Sequence, residues 1–282
     1  MSETKRTVLI SGCSDGGMGA ELAKVLHEQG LHVYATARDT SKMASLSALG
    51  IETLTLDIQS QESIEACAKQ IPSLDILINN AGALMTTTVS DISIPEAKKI
   101  FDIMVWGNIA MIQAFLPQLV KSKKAMIVNH TSVGVHLAIP FQSVYNASKA
   151  AMSMFSDAMR LELEAFDIAV INLKTGGVRT QIATNVRAKD RKLPEGSLYA
   201  PAKEETESAL RVDWLGDRGV PAEEWAKQVA KELLKQTPPQ TIWLGESATL
   251  LRYASSLPMA WFDGMIKRLT GLDKIQAILQ KK

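Results

Sequence analysis

The chain has 282 residues, 46% of them hydrophobic and 22% charged, which suits one α/β domain. A formal net charge of +1 argues against nucleic acid as the main partner. The two cysteines, Cys13 and Cys67, make neither a disulfide framework nor a zinc cluster; the four histidines show no metal-ligand spacing, and no metal is expected.

The first residues are polar and lead straight into a short apolar strand, without the apolar core of a signal peptide. No uninterrupted apolar run reaches the ~20 residues that span a bilayer. A cytoplasmic protein without an integral membrane span is the expectation.

Thr7–Ser11 is an apolar run with β-branched residues and reads as a buried parallel strand. Gly12-Cys13-Ser14-Asp15-Gly16-Gly17-Met18-Gly19 follows, then a helix over 20–28. Strand, glycine turn and helix together present backbone N–H groups to a phosphate. The spacing is not G-x-G-x-x-G; it places Gly12, Gly17 and Gly19 around Ser14 and Met18, with Gly16 as a second candidate. A dinucleotide phosphate is the ligand this loop suits. Cys13 reads as a small space-filling residue rather than a reactive thiol.

Residues 31–37 form a second strand that ends at Arg38-Asp39. An acidic residue at this point suits a ribose 2′-OH, whereas an arginine accommodates a 2′-phosphate. Arg38 therefore favours NADP(H), and Asp39 stands close enough to blur the choice. A third strand over 51–56 leads to Asp57, either an acceptor for adenine or the cap of a helix beginning near Ser60. The fourth strand, 74–78, leads to Asn79-Asn80-Ala81-Gly82. Asparagine side chains hold local backbone and ligand at once, and Gly82 lets a ligand come close.

A long helical region covers 94–121, with Pro117 near its end. The fifth strand, 125–129, leads to Thr131-Ser132, and a loop over 133–143 reaches Tyr145. Tyr145 and Lys149 are one helical turn apart and project from one face. A phenol titrates near pH ~10, and a neighbouring ammonium lowers that value, so the pair is suited to acid/base work. The helix continues to about Phe166. A sixth strand, 168–173, precedes Lys174-Thr175-Gly176-Gly177-Val178-Arg179-Thr180. Residues 181–222 are polar and proline-bearing and read as a mobile, partly helical lid. A last strand covers 240–244. The tail from Ala248 is apolar but interrupted by Arg252, Pro258, Asp263 and Lys267. It suits packing on the core, covering a substrate entrance, or peripheral contact with a membrane surface.

Alternating strands and helices imply an α/β fold: a Rossmann-type doubly wound parallel sheet flanked by helices, one domain over 1–282, with a lid at 181–222 and a helical tail at 248–282.

Taken together, these residues resemble the short-chain dehydrogenase/reductase family over residues 7–180. The shared parts are the glycine loop, Asp57, Asn79-Asn80-Ala81-Gly82, Ser132, and Tyr145-x-x-x-Lys149, with Ser132 thirteen residues before Tyr145. The Gly-Cys-Ser-x-Gly-Gly-x-Gly loop, Ala-Thr-Ala-Arg and Thr-Gly-Gly-Val-x-Thr are similar to a fungal subgroup of acyl-dihydroxyacetone-phosphate reductases and natural-product ketoreductases. The resemblance implies that Tyr145 exchanges a proton with a carbonyl or alcohol oxygen, and that Ser132 holds that oxygen. Lys149 would bind the nicotinamide ribose and lower the Tyr145 pKa. The glycine loop, Asn80, Ala81, Gly82, Val178 and Thr180 would hold NADP(H), with Thr180 at the nicotinamide amide. The cofactor supplies the hydride. Homodimers or homotetramers are usual.

Two positions depart from the family. Met104 stands where an asparagine usually anchors a water behind the lysine, and a thioether is a poor acceptor with no donor. Asn108, one turn on, substitutes only if the helix shifts, which is not expected. Thr175-Gly176 replaces the common Pro-Gly. His136, Leu137, Ile139, Phe141 and Gln142, on the loop before Tyr145, are the candidate substrate contacts, His136 being either a second acid/base group or simply a loop residue, and the mostly apolar character of the set suits a bulky substrate. The leading expectation is an NADP(H)-dependent carbonyl reductase or alcohol dehydrogenase acting on a small molecule. Met104 keeps open a redox-neutral isomerase, epimerase or cyclase; a nucleotide-binding regulator is the third reading.

Overall fold

The structure is a computed structural model that describes residues 5–180, 191–215 and 218–281. Of the lid segment, 181–190 and 216–217 lie outside the described residues.

Seven parallel strands form the main sheet: β1 (Thr7–Ser11), β2 (His32–Ala37), β3 (Glu52–Thr55), β4 (Ile76–Asn79), β5 (Met126–Ser132), β6 (Ala169–Thr175) and, last in the sheet, β9 (Thr241–Leu244). Their order is β3-β2-β1-β4-β5-β6-β9, so the winding reverses between β1 and β4. A crevice opens at the carboxyl ends of the strands at such a reversal. A short pair, β7 (Val178–Arg179) with β8 (Val220–Pro221), lies beside it.

Side chains alternate across the sheet, so each strand feeds two cores. Val8, Ile10, Val33 and Val128 point to one face, against Leu22 and Leu26 of α1 (Met18–Glu28) and Trp225 and Val229 of the helix Ala222–Leu233. Leu9, Leu77, Ile127 and Val170 point to the other face. In chain order follow α2 (Ala44–Ala48), whose Leu46 joins the first core, α3 (Gln61–Gln70), whose Ile64 and Cys67 join the second, and α4 (Ile94–Phe101). A π-turn over Asp102–Trp106 joins α4 to α5 (Gly107–Leu119), whose Met111 and Phe115 enter the second core with Met152 of α6 (Ser143–Glu162). The whole helix Ile94–Leu119 is long and apolar enough to cross a membrane by composition alone. Its buried Met104, Val105, Met111 and Phe115 instead face the protein interior.

β5 and β6 run further than their apolar stretches, to Ser132 and Thr175, which pair in register. The polar residues there do not end the strands because they satisfy one another: Thr131 Oγ1 donates to Asn172 Oδ1 at 2.6 Å.

Beyond the sheet come α7 (Lys203–Leu210), α8 (Ala222–Leu233), α9 (Ala248–Ala254), α10 (Asp263–Thr270) and α11 (Leu272–Leu279). Ile275 of α11 packs with Ala209 and Leu210 of α7, and Leu251 of α9 packs with Val133. The tail is thus folded onto the body, over the carboxyl ends of the strands.

Candidate active site

The glycine loop is shaped by what it must not carry. Gly12 has φ +76°, and a Cβ there would sit 2.8 Å from the Ala81 Cα. A Cβ on Gly19 would collide with Asn80 Nδ2. Asn80 is stitched under the loop: its Nδ2 donates to the carbonyls of Ser11 and Gly12 at 2.8 and 3.0 Å. Ser11 Oγ accepts the N–H groups of Asn80 and Ala81, both at 3.0 Å. Gly17 precedes α1 without a side-chain cap, and among the described residues no side chain hydrogen-bonds the first-turn amides. A smooth backbone cradle at an uncapped helix start fits a dinucleotide pyrophosphate.

At the end of β2, Asp39 is committed to Ser41, accepting its N–H at 3.0 Å and its hydroxyl at 2.7 Å. That leaves Arg38 exposed at the strand end, with no ion pair among the described residues. Asp57 does not cap the following helix, which corrects one of its two expected roles. The cap of α3 is Ser60, whose side chain accepts from the Ser63 N–H. Asp57 instead accepts from the Gln59 N–H at 3.0 Å.

Ser132, Tyr145 and Lys149 converge at the floor of a cleft of about 320 Å³. β5 delivers Ser132 at its last position; α6 delivers Tyr145 and Lys149 from its first two turns. Burial pushes the Tyr145 phenol above its ordinary pKa, and a hydrogen bond with Ser132 pulls it back down. The lowering expected from Lys149 is not what this arrangement shows. Lys149 Nζ donates to the His130 carbonyl at 2.6 Å and lies 6.0 Å from the Tyr145 ring centre. Burial lowers the pKa of Lys149 itself from 10.5 to about 8. A hydrogen-bonded phenol beside a buried amine, next to a nucleotide-shaped cradle, is equipped to pass a proton to or from a bound oxygen.

Met104 lies in the π-turn, 1% exposed, and its Sδ takes the Ala83 N–H at 3.2 Å. It lines the cleft. The helix does widen here, and Asn108 Nδ2 reaches back to the Met104 carbonyl at 2.9 Å. Asn108 still does not line the cleft, so its amide does not replace the missing one.

Met18, Asn80, Gly82, Val178, Thr180 and Gln142 also line the cleft. Two of the expected substrate residues do not. His136 accepts from Lys174 Nζ at 2.9 Å and stacks on Trp243, and Phe141 turns to Tyr199 at 5.8 Å between ring centres. Both are drawn away by neighbours distant in sequence. The apolar wall is supplied by the expected Leu137 and Ile139 of the loop, joined by Trp214 and Leu215 and by Leu251, Met265 and Leu269 of the tail. The tail's part in this wall was one of three roles its composition allowed. His130, also in the lining, carried no spacing signal that would have singled it out.

Residues 6–191 match the family model for short chain dehydrogenases. The chain is 50% identical over 277 residues to a short-chain dehydrogenase/reductase of Pestalotiopsis microspora, covering 98% of each. It is 32% identical over 284 residues, 96% of each chain, to the NADPH-dependent 1-acyldihydroxyacetone phosphate reductase of Schizosaccharomyces pombe. Among solved structures, a short-chain dehydrogenase from Streptomyces avermitilis superposes with a TM-score of 0.76 at 25% identity, over 98% of this chain and 99% of the other. Fold, motifs and relatives agree: this chain belongs to the short-chain dehydrogenase/reductase family, oxidoreductases that act on CH–OH and carbonyl groups with a nicotinamide cofactor.

Proposed function

We propose that the protein is an NADP(H)-dependent reductase of a ketone or aldehyde, or the dehydrogenase of the corresponding alcohol. The observation that carries this is the convergence of Ser132, Tyr145 and Lys149 beside the Gly12–Gly19 cradle. Bound NADP(H) supplies or receives the hydride. Tyr145 passes the proton at the substrate oxygen, and Ser132 holds that oxygen as charge develops on it. Lys149 steadies the nicotinamide ribose; Thr180 and Val178 hold the nicotinamide edge. Arg38 takes the 2′-phosphate, a reading supported by the commitment of Asp39 to Ser41 and by the NADPH dependence of the S. pombe relative.

The wall of Leu137, Ile139, Trp214, Leu251 and Leu269 suits a bulky apolar substrate, held by Gln142 near its polar end. NADPH oxidation across a ketone and aldehyde panel tests both points. Long apolar substrates are expected to outpace short ones, and Tyr145→Phe is expected to lower turnover at least about a hundredfold, the scale of one general acid. A Tyr145→Phe enzyme at full rate would remove Tyr145 from the mechanism.

Met104 favours one other reading, a redox-neutral isomerisation or cyclisation in the same cleft. NADPH consumed in step with product counts against it.

A further inference from the structure

One buried imidazole has no role in the chemistry above. His130, near the end of β5, is 7% exposed, and its ring stacks on Trp225 of α8, with 5.3 Å between centres and 23° between planes. Nδ1 lies 3.0 Å from Asn80 Oδ1, and Nε2 lies 2.7 Å from Thr175 Oγ1. The partners assign the tautomer. The Asn80 amide nitrogen already donates to Ser11 and Gly12, so its oxygen faces His130 and accepts. Nδ1 therefore carries the proton, and Nε2 accepts from the Thr175 hydroxyl.

The result is a continuous chain of hydrogen bonds, Thr175 to His130 to Asn80 to Gly12. It ties together the carboxyl ends of β6, β5, β4 and β1, directly under the crevice. Its two ends are the glycine loop, suited to the pyrophosphate, and the loop after β6, suited to the nicotinamide end of a dinucleotide. Thr175 stands where many family members have proline, which has no hydroxyl; His130 gives this hydroxyl its acceptor. The backbone of the same residue receives Lys149 Nζ.

We propose that His130 is a positioning residue: by bridging Thr175 and Asn80 it sets the spacing between the glycine loop and the nicotinamide loop, and so the seating of the nicotinamide ring against Tyr145. The inference rests on the NADP(H) reading above. Burial, and then the Lys149 ammonium, hold the imidazole pKa down at about 3, so Nε2 remains an acceptor throughout the neutral range.

The test uses the full chain and two ligands: NADPH, which needs both loops, and adenosine 2′,5′-bisphosphate, which lacks the nicotinamide half. His130→Phe keeps a ring on Trp225 but removes both hydrogen bonds. Thr175→Val keeps shape and removes only the hydroxyl. Each is expected to raise the NADPH dissociation constant about tenfold, the scale of one buried hydrogen bond, and to leave adenosine 2′,5′-bisphosphate binding unchanged. The double variant is expected to bind NADPH no more weakly than His130→Phe, because both changes break one chain. Unchanged NADPH affinity in both single variants would overturn the proposal. So would an equal loss for the two ligands, or additive losses in the double variant. If the unsubstituted protein binds adenosine 2′,5′-bisphosphate but not NADPH, or neither, the cofactor reading falls and this inference with it.

Discussion

Lys149 sits where its charge is disfavoured, and that has a measurable sign. Burial lowers its pKa from 10.5 to about 8. Above about pH 8 the folded protein gives up a proton that the unfolded chain keeps until 10.5. Where the unfolded state binds more protons, stability rises with pH. The cofactor-free protein is therefore expected to gain stability between about pH 8 and 9, and Lys149→Met to lack that gain, by urea denaturation at a series of pH values. The buried thiols Cys13 and Cys67, pushed up from 9.0 to about 12 and about 11, pull the other way above pH 9, and Tyr145, raised by burial, does so above its ordinary value of 10, so pH 8 to 9 is the clean window. At this scale the trio was legible in the sequence because Tyr145 and Lys149 lie one turn apart and Ser132 precedes them at a set interval. His130 was not legible. Its partners Asn80 and Thr175 are 50 and 45 residues away, and only the parallel sheet brings the three strand ends together. His136 and Phe141 misled for the same reason: their loop is apolar in sequence, but Trp243 and Tyr199 take their side chains.

The strands and helices were legible wherever an apolar run stood alone. Their ends were less so, because the polar tips of β5 and β6 pair with each other rather than with solvent. The π-turn at Asp102–Trp106 left no trace in the apolar pattern. The tail shows most clearly what composition leaves open. One side of it, Leu251, Met265 and Leu269, closes the cleft. The same tail exposes Leu250, Tyr253, Leu257 and Trp261, and its sequence carries Arg252, Lys267 and Arg268. Aromatic anchors together with cations suit the surface of an anionic bilayer. We propose peripheral membrane contact through these residues, which places the cleft mouth near an apolar substrate. The whole protein is expected to co-sediment with phosphatidylcholine–phosphatidylserine vesicles, less so at high salt, and to lose this on Tyr253→Asp with Trp261→Asp. Failure to sediment, or sedimentation unaffected by the two substitutions, would contradict it.

Over the whole molecule, a second exposed apolar surface lies on the π-turn and α6, far along the chain from the tail. Trp106 and Phe155 meet edge to face at 6.0 Å, and Met154 and Leu161 stand exposed on the same helix as Phe155. Exposed apolar clusters of this kind mark association surfaces. We propose that copies of the chain meet here, as homodimer or homotetramer. Light scattering is expected to give a multiple of 30.7 kDa, and Trp106→Lys with Phe155→Lys to give the single mass; a monomeric unsubstituted protein would sink the proposal. The parallel sheet, its order and its reversal between β1 and β4 then serve one end, a cradle facing an acid/base centre. That arrangement is tested most directly with NADPH carrying deuterium at its transferable C4 position. Reduction of an accepted ketone should place one deuterium on the carbinol carbon for each NADPH consumed, and Tyr145→Phe should nearly abolish the transfer. Product formed without label, or without loss of NADPH, would contradict the account.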